Sequence, residues 1–156
     1  MAAASGSRNT LNLKSVDSAV VILVDGLGSA NLRSASGHAR FLSAALSASP
    51  SISTVFPTTT AAALTSLATG VLPAEHGIVG YRVFDRDRNQ AQNLLSGWTS
   101  FEESHGWRVG DTLSESAEAS GLAVHFVGLG AYERSGFTNI IMPDAEYHAA
   151  DSVADR

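Results

Sequence analysis

The sequence predicts an α/β fold built as a mainly parallel sheet flanked by helices, and two observations carry that reading. The run Val20-Val21-Ile22-Leu23-Val24 is continuously apolar and β-branched and stops at Asp25-Gly26, as a strand covered on both faces does. Strand-like runs then alternate with segments of helical periodicity as far as Leu122–Val127, the order expected of parallel strands joined by crossover helices. A chain of 156 residues fits one domain that buries roughly two-thirds of its unfolded surface.

Each element follows from local pattern. Val20–Val24 reads as the first strand, buried on both faces. Leu32, Ala35, Ala39, Leu42 and Leu46 place a helix over Ser29–Leu46, interrupted near Gly37. Ser51–Phe56 is a short strand or an extended approach to Pro57, and Thr60–Ala68 is a helix closed by Gly70, with Leu64, Leu67 and Val71 facing the core. Gly80–Trp98 turns polar and suggests a surface hairpin with its turn near Asp87–Asn89, carrying little core. Asp111–Ser120 reads as a helix ended by Gly121, and Leu122–Val127 as a second buried strand ended by Gly128. Tyr147, Ala150 and Val153 recur at helical spacing, so Ala145–Arg156 reads as the start of a helix. Residues 1–17 are expected to be a flexible N-terminal segment and residues 18–156 the folded domain.

Composition narrows the function classes. Hydrophobic residues at 44% and charged residues at 16% describe a chain that folds in water. Net charge is −5, and the basic residues are scattered apart from Arg82–Arg88, which Asp85 and Asp87 interrupt, so no nucleic-acid surface is expected. The absence of cysteine excludes disulfides, thiolate metal sites and thiol nucleophiles. The sequence shows neither a signal-peptide core nor a run long enough to span a bilayer, and the expected location is cytoplasmic.

Candidate chemistry collects at strand ends and helix starts. Asp25 follows the first strand, where its carboxylate would serve as a metal ligand or simply cap a turn. Two loops, Gly26-Leu27-Gly28-Ser29-Ala30-Asn31 and Gly128-Leu129-Gly130-Ala131-Tyr132-Glu133, approach the dinucleotide fingerprint, and each lacks its third glycine. Thr60 is placed as helix N-cap or first-turn residue after Pro57, where amide N–H groups and the helix dipole attract an anion. A threonine hydroxyl needs a base or a metal to become a nucleophile, and with no histidine adjacent the metal is favoured. His76 reads as structural and His125, inside an apolar run, as a core histidine.

Three stretches in order, Val21-Ile22-Leu23-Val24-Asp25-Gly26, Val55-Phe56-Pro57-Thr58-Thr59-Thr60 and Thr69-Gly70-Val71-Leu72-Pro73-Ala74-Glu75-His76-Gly77-Ile78, resemble the type I phosphodiesterase/nucleotide pyrophosphatase family of the alkaline phosphatase superfamily. The resemblance implies an alkaline-phosphatase-like fold of which residues 18–156 are the N-terminal part. It implies Asp25 as a zinc ligand and Thr60 as both metal ligand and nucleophile, passing through a phospho-threonine that water hydrolyses. Two zinc ions, or manganese, about 4 Å apart would clamp the attacking and leaving oxygens. Backbone amides of Thr60 and Ala61 would hold the phosphate, and Thr58 and Thr59 would be helix-start residues. The nucleotide pyrophosphatases carry F-P-N-H after the nucleophile and an asparagine after H-G-I; here Ala61-Ala62-Ala63-Leu64 and Tyr81 stand in those places, which leaves the phosphate contacts open. None of His38, His76, His105, His125 or His148 sits in the Asp-x-x-x-His or Asp-His pattern that completes the family's metal site.

The resulting expectation is metal-dependent hydrolysis of a small phosphorylated, nucleotide-like substrate, with this chain carrying too few metal ligands to be active alone. The alternative is a non-catalytic α/β module that binds nucleotide or phosphate through its glycine loops. A third reading has a second chain completing the domain across an open sheet edge.

Overall fold

The computed structural model describes residues 9, 12–49, 51–96 and 106–155, so Trp98, His105 and most of the N-terminal segment lie outside the described residues. The chain divides into two compact units, Val20–Thr54 and the remainder.

Within Val20–Thr54 the helical reading holds, including its interruption: α1 (Ser29–Ser34) and α2 (Arg40–Ala48) flank Gly37. The strand reading does not. Val20–Val24 runs outside any assigned strand and its side chains are exposed, Ile22 by 84%. A β-branched run becomes a strand only when a neighbour takes its N–H and C=O groups, and the ladders among the described residues lie elsewhere in the chain.

The second unit is organised around α3 (Thr60–Thr69), closed by Gly70 in the left-handed conformation at φ 75°. Its buried face is Ala61, Ala62, Thr65, Ala68 and Thr69, whereas Leu67 is 46% exposed and Val71 is exposed too. Of the expected stripe Leu64 packs on the core, and Leu67 and Val71 do not. Small side chains let neighbouring helices approach closely, and the threonines bury their hydroxyls by donating to carbonyls one turn back, Thr65 to Ala61 at 2.7 Å and Thr69 to Thr65 at 2.8 Å. α3 packs against α4 (Pro73–His76), α5 (Leu113–Glu118) and α6 (Gly136–Ile141).

The hairpin forms as expected, β1 (Arg82–Asp85) antiparallel to β2 (Gln90–Asn93), but it is not peripheral to the core. Leu94 is fully buried and joins Ala61, Ala68, Ile78, Phe137, Ile140 and Ile141, with Val83, Leu95 and Trp107 packed on them. α6 supplies much of that core: Ser135 Oγ caps it by accepting the Thr138 N–H, and Phe137, Ile140 and Ile141 recur at i, i+3, i+4.

The parallel pairing of the fold class appears between β3 (His125–Gly128) and β4 (Glu146–Ala149). Two corrections follow. The second strand begins at His125 and is half exposed along its length rather than buried. Ala145–Arg156 starts with a strand, because Glu146 and His148 alternate with Tyr147 and Ala149 and the pairing to β3 overrides the helical spacing read further along. Phe126 and Tyr147 meet edge-to-face on one side of the pair, ring centroids 5.2 Å apart. The fold is α/β, with helices around small sheets.

Candidate functional site

The three threonines after Pro57 have separate structural tasks. Thr58 Oγ1 donates back to the Val55 carbonyl at 3.3 Å. Thr59 is the N-cap of α3: its backbone is extended, its Oγ1 accepts the Ala62 N–H at 3.3 Å and its carbonyl accepts the Ala63 N–H at 2.9 Å. Thr60 is the first helical residue, partly exposed, and its amide and that of Ala61 precede the first helical bond. Ala61 itself has no solvent exposure.

His76 fixes the other end of this region. The imidazole is fully buried; Nε2 lies 2.9 Å from Ser66 Oγ on α3, and Nδ1 accepts the Ile78 N–H at 3.1 Å. Since Nδ1 accepts, the tautomer that satisfies both contacts carries its proton on Nε2 and is neutral. Desolvation by burial lowers its pKa below the usual histidine value, against the opposing pull of nearby backbone groups and Glu75. The histidine of the H-G-I turn is structural, as its position in the sequence indicates.

Asp25 occupies the turn that ends the Val20–Val24 run, where the Leu27 N–H returns to the Val24 carbonyl at 3.3 Å and Gly26 adopts φ 73°. Each glycine loop has an N–H taken by a side chain, in the first from within the loop and in the second from the segment after β4. Asn31 Oδ1, in the place of the third glycine, accepts the Gly28 N–H at 3.1 Å, and Asp151 Oδ1 accepts the Gly130 N–H at 2.9 Å. A phosphate cradle needs those N–H groups pointing at the ligand, so the loops argue against the binding-module reading.

One cluster was not legible as a site. The register His125↔Glu146 and Val127↔His148 puts His125, Glu146 and His148 on one face of the β3–β4 pair, all exposed. His125 Nδ1 lies 2.9 Å from His148 Nε2, and Glu146 reaches them with Oε2 at 3.4 Å and Oε1 at 3.7 Å. His125 is therefore no core histidine: period-2 alternation turns it outward while Phe126 faces Tyr147. The signal available was the alternation Glu146-Tyr147-His148, masked by the helical spacing beyond it. Among the described residues these three form the group of His, Asp or Glu side chains able to share one divalent ion.

Compared with known families, residues 19–156 match the description Type I phosphodiesterase / nucleotide pyrophosphatase. The chain belongs to that family. No curated protein and no solved structure matches it. As a member of the type I phosphodiesterase / nucleotide pyrophosphatase family it is a hydrolase with an alkaline-phosphatase-like α/β fold, and the family points to a small phosphate- or nucleotide-like substrate. Family membership supports metal-dependent hydrolysis, and the His125/Glu146/His148 cluster adds a place in the chain able to hold one divalent ion. No helix among the described residues is long and apolar enough to cross a membrane.

Proposed function

We propose that this phosphodiesterase-family chain hydrolyses phosphate esters of the phosphodiester or nucleotide pyrophosphate class through Thr60 as nucleophile, with Asp25 and Thr60 as ligands of the catalytic metal. The observation that carries the reading is the division of labour at the start of α3: Thr59 caps the helix, so Thr60 is not required for capping. Thr60 stands at the positive end of a ten-residue helix, where developing negative charge on a bound phosphoryl group is favoured.

The residues fit a metal in part. Carboxylate and alkoxide oxygens suit a divalent ion such as zinc or manganese, and two donors fall short of the four that zinc takes, so further ligands must complete the site. When bound, the metal supplies a lowered hydroxyl pKa and charge neutralisation at the phosphoryl oxygens. Thr60 Oγ loses its proton and forms a bond to phosphorus while the bond to the leaving oxygen breaks, and that oxygen takes up a proton. Water then attacks the same phosphorus, the Thr60 Oγ–P bond breaks, and the hydroxyl is regenerated. Backbone amides of Thr60 and Ala61 at the helix start would receive the phosphoryl oxygens, as the family resemblance implies.

Incubation with an aryl phosphodiester and zinc or manganese, followed by peptide mass mapping, tests this. With only two of the metal's donors supplied by Asp25 and Thr60, turnover should be slow; the expected result is a phosphoryl adduct on Thr60 that is absent, together with the residual turnover, in Thr60→Ala, persists in Thr59→Ala and fails to form in Asp25→Asn. An adduct on Thr58 or Thr59, or turnover unchanged by Thr60→Ala, would overturn it. Phosphate binding insensitive to chelator and to Asp25→Asn would favour the non-catalytic module.

A further inference from the structure

Two imidazole nitrogens that face each other at 2.9 Å, with a carboxylate beside both, form an arrangement that needs a cation or a shared proton between them. Only one nitrogen of the facing pair can carry a proton without collision, so the other must present its lone pair. A metal ion lets both present lone pairs. Metal–ligand bonds of about 2.0–2.1 Å at a tetrahedral angle place neighbouring donors about 3.3–3.4 Å apart. The two nitrogens are 2.9 Å apart, each has one Glu146 oxygen at 3.4 or 3.7 Å, and one donor atom from each residue lies within 4.8 Å of the others, so side-chain rotations would close the three on an ion.

We propose that His125 Nδ1, His148 Nε2 and the Glu146 carboxylate bind one divalent cation of the zinc type, and that this ion staples β4 to β3. Two imidazoles exclude magnesium and calcium, which take oxygen ligands, and select the borderline ions of which zinc is the typical one. The donor set is two histidines and one glutamate, which leaves a fourth position for water on the solvent side. The site uses none of the residues proposed for hydrolysis and stands whether or not that reading does.

The staple follows from the ligands' places in the sheet. His125 comes from the first residue of β3, while Glu146 and His148 come from β4, so the ion would bridge strands more than twenty residues apart in sequence. The pair is only four residues long on each side, and a two-stranded sheet of that length has little stability of its own. An ion that binds the paired arrangement and not the separated strands shifts the balance toward pairing by mass action.

Equilibrium dialysis against zinc chloride, performed on the chain carrying Asp25→Asn and Thr60→Ala, removes the proposed hydrolytic donors from the count. The expected result is uptake of one zinc per chain at micromolar free zinc. His125→Gln and His148→Gln should each weaken it at least about tenfold, as loss of a ligand does. Glu146→Gln, a change at an exposed side chain that leaves the sheet intact, should weaken it as well. Cobalt in place of zinc should give the intense visible bands of a four-coordinate site, lost in the same variants. Amide exchange of Tyr147–Ala149 should slow on zinc addition only where the three ligands are present. The proposal is overturned by no zinc uptake at micromolar concentrations, by uptake indifferent to the three substitutions, or by uptake that leaves β4 exchange unchanged.

Discussion

Replacing His76 by leucine isolates the central contact of the fold in one measurement. The two side chains are close in size, so the main loss is hydrogen bonding rather than volume. The Ile78 N–H, fully buried, loses its acceptor at Nδ1, which costs about 1–3 kcal/mol. Ser66 Oγ loses Nε2 but is only partly buried and can turn to water, adding about 0.5 kcal/mol. Urea unfolding near neutral pH should therefore show a loss of roughly 2–3 kcal/mol, with Ser66→Ala losing clearly less. The pH dependence separates this account from simple mispacking. Burial holds the folded-state pKa of His76 below its unfolded value, so the unfolded chain takes the proton first as pH falls. The wild type should keep full stability above about pH 6.5 and lose it below, with a slope from this group no steeper than about 1.4 kcal/mol per pH unit. His76→Leu should lack that component. Wild type and variant falling in parallel between about pH 7.5 and about pH 5.5 would refute the assignment of a neutral, buried imidazole.

Two further outcomes are expected. In Gly128→Ala the new methyl would meet Tyr147 Oη at 2.5 Å, and that hydroxyl is held by its 2.6 Å bond to the Leu129 carbonyl, so about 1–3 kcal/mol should be lost in chemical unfolding and part recovered by adding Tyr147→Phe. Burial raises the Glu115 pKa, but the Thr112 N–H and hydroxyl and the Arg108 guanidinium 2.9 Å away more than reverse this, leaving it below the usual carboxylate range. Its contribution is present above that range and lost as pH falls through the folded value, so Glu115→Gln should show a shallower acid transition than wild type, read by circular dichroism against pH.

What was legible in the sequence was what depends on neighbours along the chain. Pro57, the threonines and Gly70 mark both ends of α3, and Asp87–Asn89 marks the hairpin turn, because capping and turn chemistry are local. The motif order from Val21 to Ile78 carried the family. Pairing between distant segments was not legible. Val20–Val24 has the composition of a strand yet lies outside the ladders, and β4 has a helical spacing beyond it yet pairs with β3. The same blindness hid the metal cluster, whose histidines lie 23 residues apart and meet only through the register of two strands. His125 looked like core because its neighbours are apolar, and a two-residue period, not its composition, decided which way it faced.

The bond between His76 and Ser66 makes α3 a lever. Ser66 lies six residues along the helix from Thr60, about 9 Å at the helical rise, so a tilt of about 5° at the anchored end carries the hydroxyl at the other end about 0.8 Å sideways. With Thr60 as the proposed nucleophile attacking phosphorus in line, a displacement near 1 Å costs on the order of a hundredfold in rate. Damage to the H-G-I turn would thus reach the chemistry as misalignment, with every reacting atom still present, and a crystal of such a variant would look intact everywhere except in the aim of one helix.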